Sequence, residues 1–292
     1  MTADIAIAEA PRRYAIADLV KNLNPTLAIG LGIVGLAVVL SLIIPTVSPY
    51  GPTQIVTDNS LVGPSLQHPF GNDDLGRDVM TRVMVGYRIS LGVAVGSVLL
   101  ALALGVPLGL LSAYAGGFVD NLVMRPLDVF MSFPAILLAV VVMAILGTGT
   151  LVVVLAIGVV YVPVIARVMR ATAMVVAREL YVEAARARGA SSLRLVIRHI
   201  MPNSLGPVIV QASILMGFAI LLEAALSFIG LGVRPPDPSL GLMLANGRDF
   251  MGQAPWMVIA PGFAIMGLVL GFNLVGDGLR DWLDPRGRAR IR

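Results

Sequence analysis

Six stretches of this sequence are apolar for long enough that their backbones can hydrogen-bond only to themselves. A helix rising about 1.5 Å per residue needs roughly 20 apolar residues to cross about 30 Å of hydrocarbon. In lipid, every N–H and C=O must be satisfied within the segment. Residues 27–46, 89–115, 122–146, 150–170, 205–229 and 256–278 meet that requirement. Composition agrees, with 57% hydrophobic and 13% charged residues, about half the charged fraction of a soluble domain. The expectation is an all-α, polytopic membrane protein with six transmembrane helices. The first apolar run is 18 residues long, follows Asp4, Glu9 and Asp18, and leads into Pro45 and Pro49. It exceeds the 7–15 residue core of a cleaved signal peptide and is read as a retained anchor. Gly92/Gly96, Gly105/Gly109 and Gly267/Gly271 are small-xxx-small pairs suited to close helix packing. Pro107, Pro134, Pro163 and Pro261 fall inside spans, where they should kink or break the helix.

The charges fix an orientation. Positively charged loops stay cytoplasmic, and with the N-terminus inside, 16 of the 21 basic residues face the cytoplasm. These are Arg12, Arg13, Lys21, Arg125, seven arginines between 167 and 198, and five between 280 and 292. Arg77, Arg82, Arg88, Arg234 and Arg248 lie outside. Both termini are therefore expected in the cytoplasm. The net charge of +4 lines one membrane face beside anionic headgroups and requires no nucleic acid. Lys21 is the only lysine, and it stands between Val20 and Asn22, so the Gly-Lys-Ser/Thr of a phosphate-binding loop is missing. Cysteine is absent, which excludes disulfides, thiolate metal sites and cysteine nucleophiles. With two histidines in the whole chain and no G-x-S-x-G or H-E-x-x-H, an intramembrane hydrolase has little to work with.

The most informative loop is YVEAARARGASSLRLVIRHIMP at 181–202. It predicts a first short helix over 181–188, ended by Gly189, which readily takes the left-handed conformation after a helix. Ser191 or Ser192 can cap a second helix that runs to about Ile200 and stops before Pro202. Ala184 and Ala185 form a small patch flanked by Glu183, Arg186 and Arg188. Such a helix fits a groove on a partner, although a solvated helix made basic by its cytoplasmic position has the same composition. Between the first two spans, HPFGNDDLGRDVMTRVMVGYRISL occupies 68–91. Asn72, Asp73 and Asp74 suit a turn, and residues 78–87 suit an interfacial amphipathic helix with Arg82 and Arg88 towards headgroups. His68 beside Asp73 and Asp74 lacks convergent ligand spacing and reads as surface turn chemistry, not as a metal site.

The 181–202 segment resembles the EAA motif of bacterial ABC importer permeases, E-A-A-x3-G-x9-I-x-L-P. Glu183, Ala184, Ala185, Gly189 and Pro202 match, while His199 and Met201 replace the usual Ile and Leu. Residues 68–91 resemble the C-type permease subunit of the dipeptide/oligopeptide/nickel import family through Gly71, Asp73, Gly76, Arg77, Asp78, Arg82, Gly86, Arg88, Ser90 and Leu91. MRPLDVFMSFP at 124–134, LLEAALSFIGLG at 221–232 and GDGLRDWLDPR at 276–286 extend the resemblance to about 45–286.

The resemblance implies a type I ABC importer permease fold in a bacterial inner membrane. It divides the chain into a cytoplasmic tail (1–26), the first helix (27–46), an extracytoplasmic segment (47–88), the transmembrane domain (89–285) with its coupling helix at 181–191, and a basic tail (286–292). It implies that Glu183, Ala184, Ala185, Arg186, Arg188, Gly189 and Pro202 engage a separate ATPase subunit, which carries ATP and Mg2+, while this chain carries no cofactor. Further implied partners are a second homologous permease subunit and an extracytoplasmic binding protein delivering short peptides, with nickel chelates or glutathione as alternative cargo.

Charges within spans are functional candidates by default. Arg125 and Asp128 stand at i,i+3 spacing and are expected to pair. Glu223, deeper in the fifth span, lines a translocation path or secures helix packing through a hydrogen bond. A competing reading is a proton-driven secondary transporter using Glu223 and Asp128, which lacks the inverted repeat that many such transporters show.

Overall fold

The computed structural model describes residues 24–57 and 59–283. The N-terminal tail with Arg12, Arg13 and Lys21, and the basic tail at 286–292, lie outside the described residues. Among the described residues there are ten helices in chain order: α1 (Pro25–Val47), α2 (Val79–Ala115), α3 (Gly117–Met131), α4 (Ala135–Leu146), α5 (Thr150–Val176), α6 (Leu180–Ala187), α7 (Ser192–Leu195), α8 (Met201–Phe228), α9 (Leu240–Arg248) and α10 (Trp256–Leu283). A π-helical turn, Val196–Ile200, joins α7 to α8.

The bundle is built on α2 packed along α5, and glycine sets their distance. A Cβ on Gly105 would come 2.8 Å from the Cβ of Ile165, and one on Gly109 would come 2.8 Å from that of Met169. Both glycines of this expected pair are thus occupied by backbone approach, whereas Gly92 and Gly267 face open space. Their partners do pack, Gly96 against Val154 and Gly271 against Ile33 and Val34. The last contact seats α1 on α10. There Gly30 and Gly278 likewise leave no room for a side chain, and Asn24 Nδ2 donates to Asp281 Oδ2 at 2.9 Å. The start of α1 and the end of α10 consequently lie on the same side of the membrane.

Four expectations are corrected. The third span is not one helix: α3 and α4 meet at a bend of 98°. Pro134 cannot extend a helix and biases Phe133 towards extended conformations, and Ser132 Oγ donates to the Val129 carbonyl at 2.7 Å. Among the described residues five helices are long and apolar enough to cross a membrane, and the bent pair α3–α4 brings the number to six where it is counted as one broken span. At 12 residues, α4 is only about 18 Å long. Pro107, Pro163 and Pro261 lie inside helices that continue through them. Secondly, the expected interfacial helix at 78–87 is the first part of the 37-residue α2, capped by Asp78.

Thirdly, the polar chemistry of 68–82 is buried. Arg82 is 3% exposed and donates to the Pro52 carbonyl at 2.6 Å, so it does not reach headgroups. Asp73 accepts from Leu75 N at 3.0 Å, Arg77 N at 2.9 Å and Arg77 Nε at 2.6 Å. His68, read as part of a surface turn, is buried with Nδ1 3.0 Å from Asp78 Oδ1. Asp78 Oδ2 accepts from both Thr81 N and Thr81 Oγ1. Among the described residues, no group of three or more metal-ligating side chains converges. Trp256 Nε1 donates to Asn72 O at 3.0 Å and fastens this segment to α10. Gly71 meets that indole with φ at +68°, a conformation and a space only glycine fits. Fourthly, the helix after Gly189 does not stop before Pro202 but runs on into the fifth span.

Two substitutions test this packing. Gly109→Val should overpack α2 against α5 and cost on the order of 1–3 kcal/mol, lowering the thermal midpoint of the purified protein, while Gly92→Ala leaves it unchanged. Asp73→Ala strands Arg77 and Arg82 without their carboxylate. It should cost about 3–5 kcal/mol and expose 48–78 to protease in the assembled protein.

Candidate functional site

The loop at 181–202 forms a compact, outward-facing unit. Helix α6 is eight residues long and turns Val182 and Ala185 inward, where they share the buried core with Leu195 and Ile200. Glu183, Ala184, Arg186 and Arg188 are exposed, as are Leu180 and Tyr181. The expected Ala184/Ala185 patch is therefore divided: Ala184 faces outward and Ala185 anchors the helix. Gly189 has φ of +83°. Ala190 N donates to Ala185 O at 3.2 Å and Gly189 N to Arg186 O at 3.0 Å, the paired bonds of a Schellman ending. The sequence signal at Gly189 thus has a physical basis in the left-handed turn that closes α6. Ser191 occupies the cap position of α7, but its side chain makes no capping bond.

Pro202 governs the passage from loop to span. It has no N–H for the Arg198 carbonyl, and its ring crowds that position. The chain answers with a π turn, in which Met201 N donates to Val196 O. Asn203 Nδ2 donates to the His199 carbonyl at 2.6 Å, and Ser204 Oγ donates to that of Ile200 at 2.8 Å. The His199 ring lies 6.5 Å from that of Tyr181 and links the π turn to α6. The result is one helical rod, Ser192–Phe228, of 37 residues and about 55 Å. Pro202 itself sits in the rod, outside the α6 surface.

At its far end the rod is locked to α2. Glu223 is 0% exposed, and its carboxylate accepts from Ser90 Oγ at 2.8 Å and Ser227 Oγ at 2.7 Å. The bond from Ser90 ties α8 to α2 through Glu223, which is the geometry of the packing role read for it. The opposite face of α8 is open. Asn203, Pro207, Gln211 and Ile214 line a cleft of about 790 Å3 with Val168 of α5 and Arg280 of α10.

The expected Arg125–Asp128 pair is not formed. Asp128 Oδ1 instead accepts from Arg167 Nη2 at 2.6 Å, because the bend after α3 lays Asp128 against α5. A second pair, which sequence reasoning missed, joins Arg170 Nε to Asp120 Oδ1 at 2.6 Å, and Ser112 Oγ also donates to Asp120. No residue of α3 is fully buried, and these two ion pairs tie it to α5 beside the half-buried Val123 and Leu127. Arg167 and Arg170 share a helical face at i,i+3, a signal that marks a docking stripe without naming its partner.

Comparison with known proteins agrees with this architecture. Residues 105–289 match the family described as binding-protein-dependent transport system inner membrane component. The chain is 43% identical over 287 residues to the dipeptide transport system permease protein DppC of Alkalihalophilus pseudofirmus, covering 97% of this chain and 92% of that one. It is 45% identical over 224 residues to the glutathione transport system permease protein GsiD of Pectobacterium atrosepticum, covering 77% and 74%. In fold it is similar to an inward-facing form of the MetNI methionine ABC transporter, with a TM-score of 0.58, 20% identity, and coverage of 69% of this chain and 97% of that one. The chain, a multi-pass helical bundle with an exposed loop helix between α5 and α8, thus belongs to the binding-protein-dependent transport system inner membrane component family.

Proposed function

We propose that this chain is one of two permease subunits in an ATP-driven importer of short peptides, set in the bacterial inner membrane with both termini cytoplasmic. The observation that carries the reading is the rod: an exposed α6 surface is fixed through Val182 and Ala185 to a helix that continues unbroken to Glu223. A partner that moves α6 moves the α8 face and its cleft with it. ATP and Mg2+ belong to the ATPase subunit that grips Glu183, Ala184, Arg186 and Arg188, and this chain converts its closure into alternating access. A second permease covers the open face of α8, and a binding protein delivers cargo onto the segments at 48–78 and 230–255. Likeness to a dipeptide permease over nearly the whole chain supports peptides as cargo. Likeness to a glutathione permease favours glutathione, itself a tripeptide, as the second reading.

In the complex reconstituted with its ATPase and binding protein, Glu183→Ala should lower peptide uptake by more than an order of magnitude while the complex still inserts. Gly189→Val, strained at a positive φ, should act the same way, leaving ATP hydrolysis unlinked to transport. Full uptake by the double variant would overturn the proposal.

Glu223 separates the importer from a proton-driven transporter. Glu223→Gln keeps one acceptor oxygen, and the hydroxyl that faces its NH2 can turn to accept, so the variant should retain most ATP-driven uptake. Glu223→Ala leaves both hydroxyls without their acceptor and should cost about 1–3 kcal/mol of stability. Uptake driven by a pH gradient without ATP, abolished by Glu223→Gln, is the outcome that would favour the proton-driven reading.

A further inference from the structure

An apolar groove of about 400 Å3 lies between α1, α2 and α10, one to two turns in from the helix ends that adjoin residues 48–78. Leu40, Tyr87, Ala260 and Phe263 line its walls, and Phe70 and Trp256 line it on the side of that segment. All three helices are long and apolar enough to cross a membrane, and the exposed Arg88 next to Tyr87 sets the groove at the edge of the hydrocarbon, just beneath the headgroups. The flanking surface is already lipid-facing: Leu36, Val39 and Ile43 of α1 are exposed, as are Ile259 and Met266 of α10. The groove is therefore a recess continuous with the membrane-facing surface. Trp256 satisfies its N–H on Asn72 O, which leaves an apolar ring towards the recess.

We propose that this groove holds one acyl chain of a phospholipid from the leaflet on that side, as a resident ligand filling the space between α1 and the rest of the bundle. Walls fixed on three helices and roofed by the polar segment offer an alkyl chain dispersion contacts on most of its surface, which open bilayer contact with a convex helix does not. The site depends on α1, which precedes the region matched by the family at 105–289. It rests on the membrane topology and is independent of the cargo.

The test uses the whole importer complex in phosphatidylethanolamine vesicles containing a phosphatidylethanolamine with a diazirine in the upper half of one acyl chain, at the depth of the groove. After irradiation, label in the unaltered protein should concentrate at Leu40, Tyr87, Ala260 and Phe263, several-fold above Leu122 and Met266, which are lipid-facing or exposed elsewhere. Ala260→Phe fills the groove and should cut that label several-fold while Met266 keeps its own. Uniform labelling across the exposed faces of α1 and α10 would overturn the proposal, as would groove label that Ala260→Phe does not change. A photo-reactive residue placed at Phe263 that crosslinks to a protein subunit instead of to phospholipid would overturn it too.

Discussion

Hydrocarbon offers no hydrogen bonds, and each turn of this molecule is arranged around that fact. The long helices run for 23 to 37 residues and continue through Pro45, Pro107, Pro163, Pro207 and Pro261. At two further prolines the chain departs from the α-helical ladder, and it does so differently. At Pro202, a π turn and the side chains of Asn203 and Ser204 take up the carbonyls, and the helix survives. At Pro134, Ser132 satisfies one carbonyl and the helix turns through 98°. The first solution makes a rigid link between loop and span. The second makes an elbow in the wall.

Charge is used in two separate registers. In the segment at 48–78 and the start of α2, two polar groups, Asp73 with Arg77 and Arg82, and His68 with Asp78, substitute for the hydrophobic core so short a stretch lacks. At the other face, Asp120–Arg170 and Asp128–Arg167 fasten α3, which fully buries no side chain of its own, against α5. Both sets are long-range or turn-bound contacts, and both leave the apolar spans free to pack through glycine.

The apolar runs made most of the spans legible in the sequence, because lipid leaves only helix and length fixes its extent. Gly189 was legible for an equally direct reason: a left-handed residue ends α6. The boundaries that failed share a cause. A proline forbids one hydrogen bond but does not say whether the chain will break or compensate, so Pro134, read inside a span, ends a helix, and Pro202, read as a stop, does not. Asp128 was assigned the nearest arginine because sequence supplies only local neighbours, whereas Arg167 arrives through the bend after α3. His68 and Arg82 resembled surface residues because their burial depends on how 48–78 folds over α2 and α10. The division of Ala184 from Ala185 needed the inward set of Val182, Leu195 and Ile200, which becomes visible only once α6 is seated.

The π turn has a consequence for angular phase. An α-helix advances about 100° per residue, so the single residue added by the i→i−5 closure between Val196 and Met201 resets the direction of everything before it relative to α8. The azimuth of Glu183 and Arg186 about the rod is thereby tied to the azimuth of Gln211 and Asn203 in the cleft by one residue's worth of rotation. Loop and span are two faces of a keyed shaft, and Pro202 is the key that holds their timing.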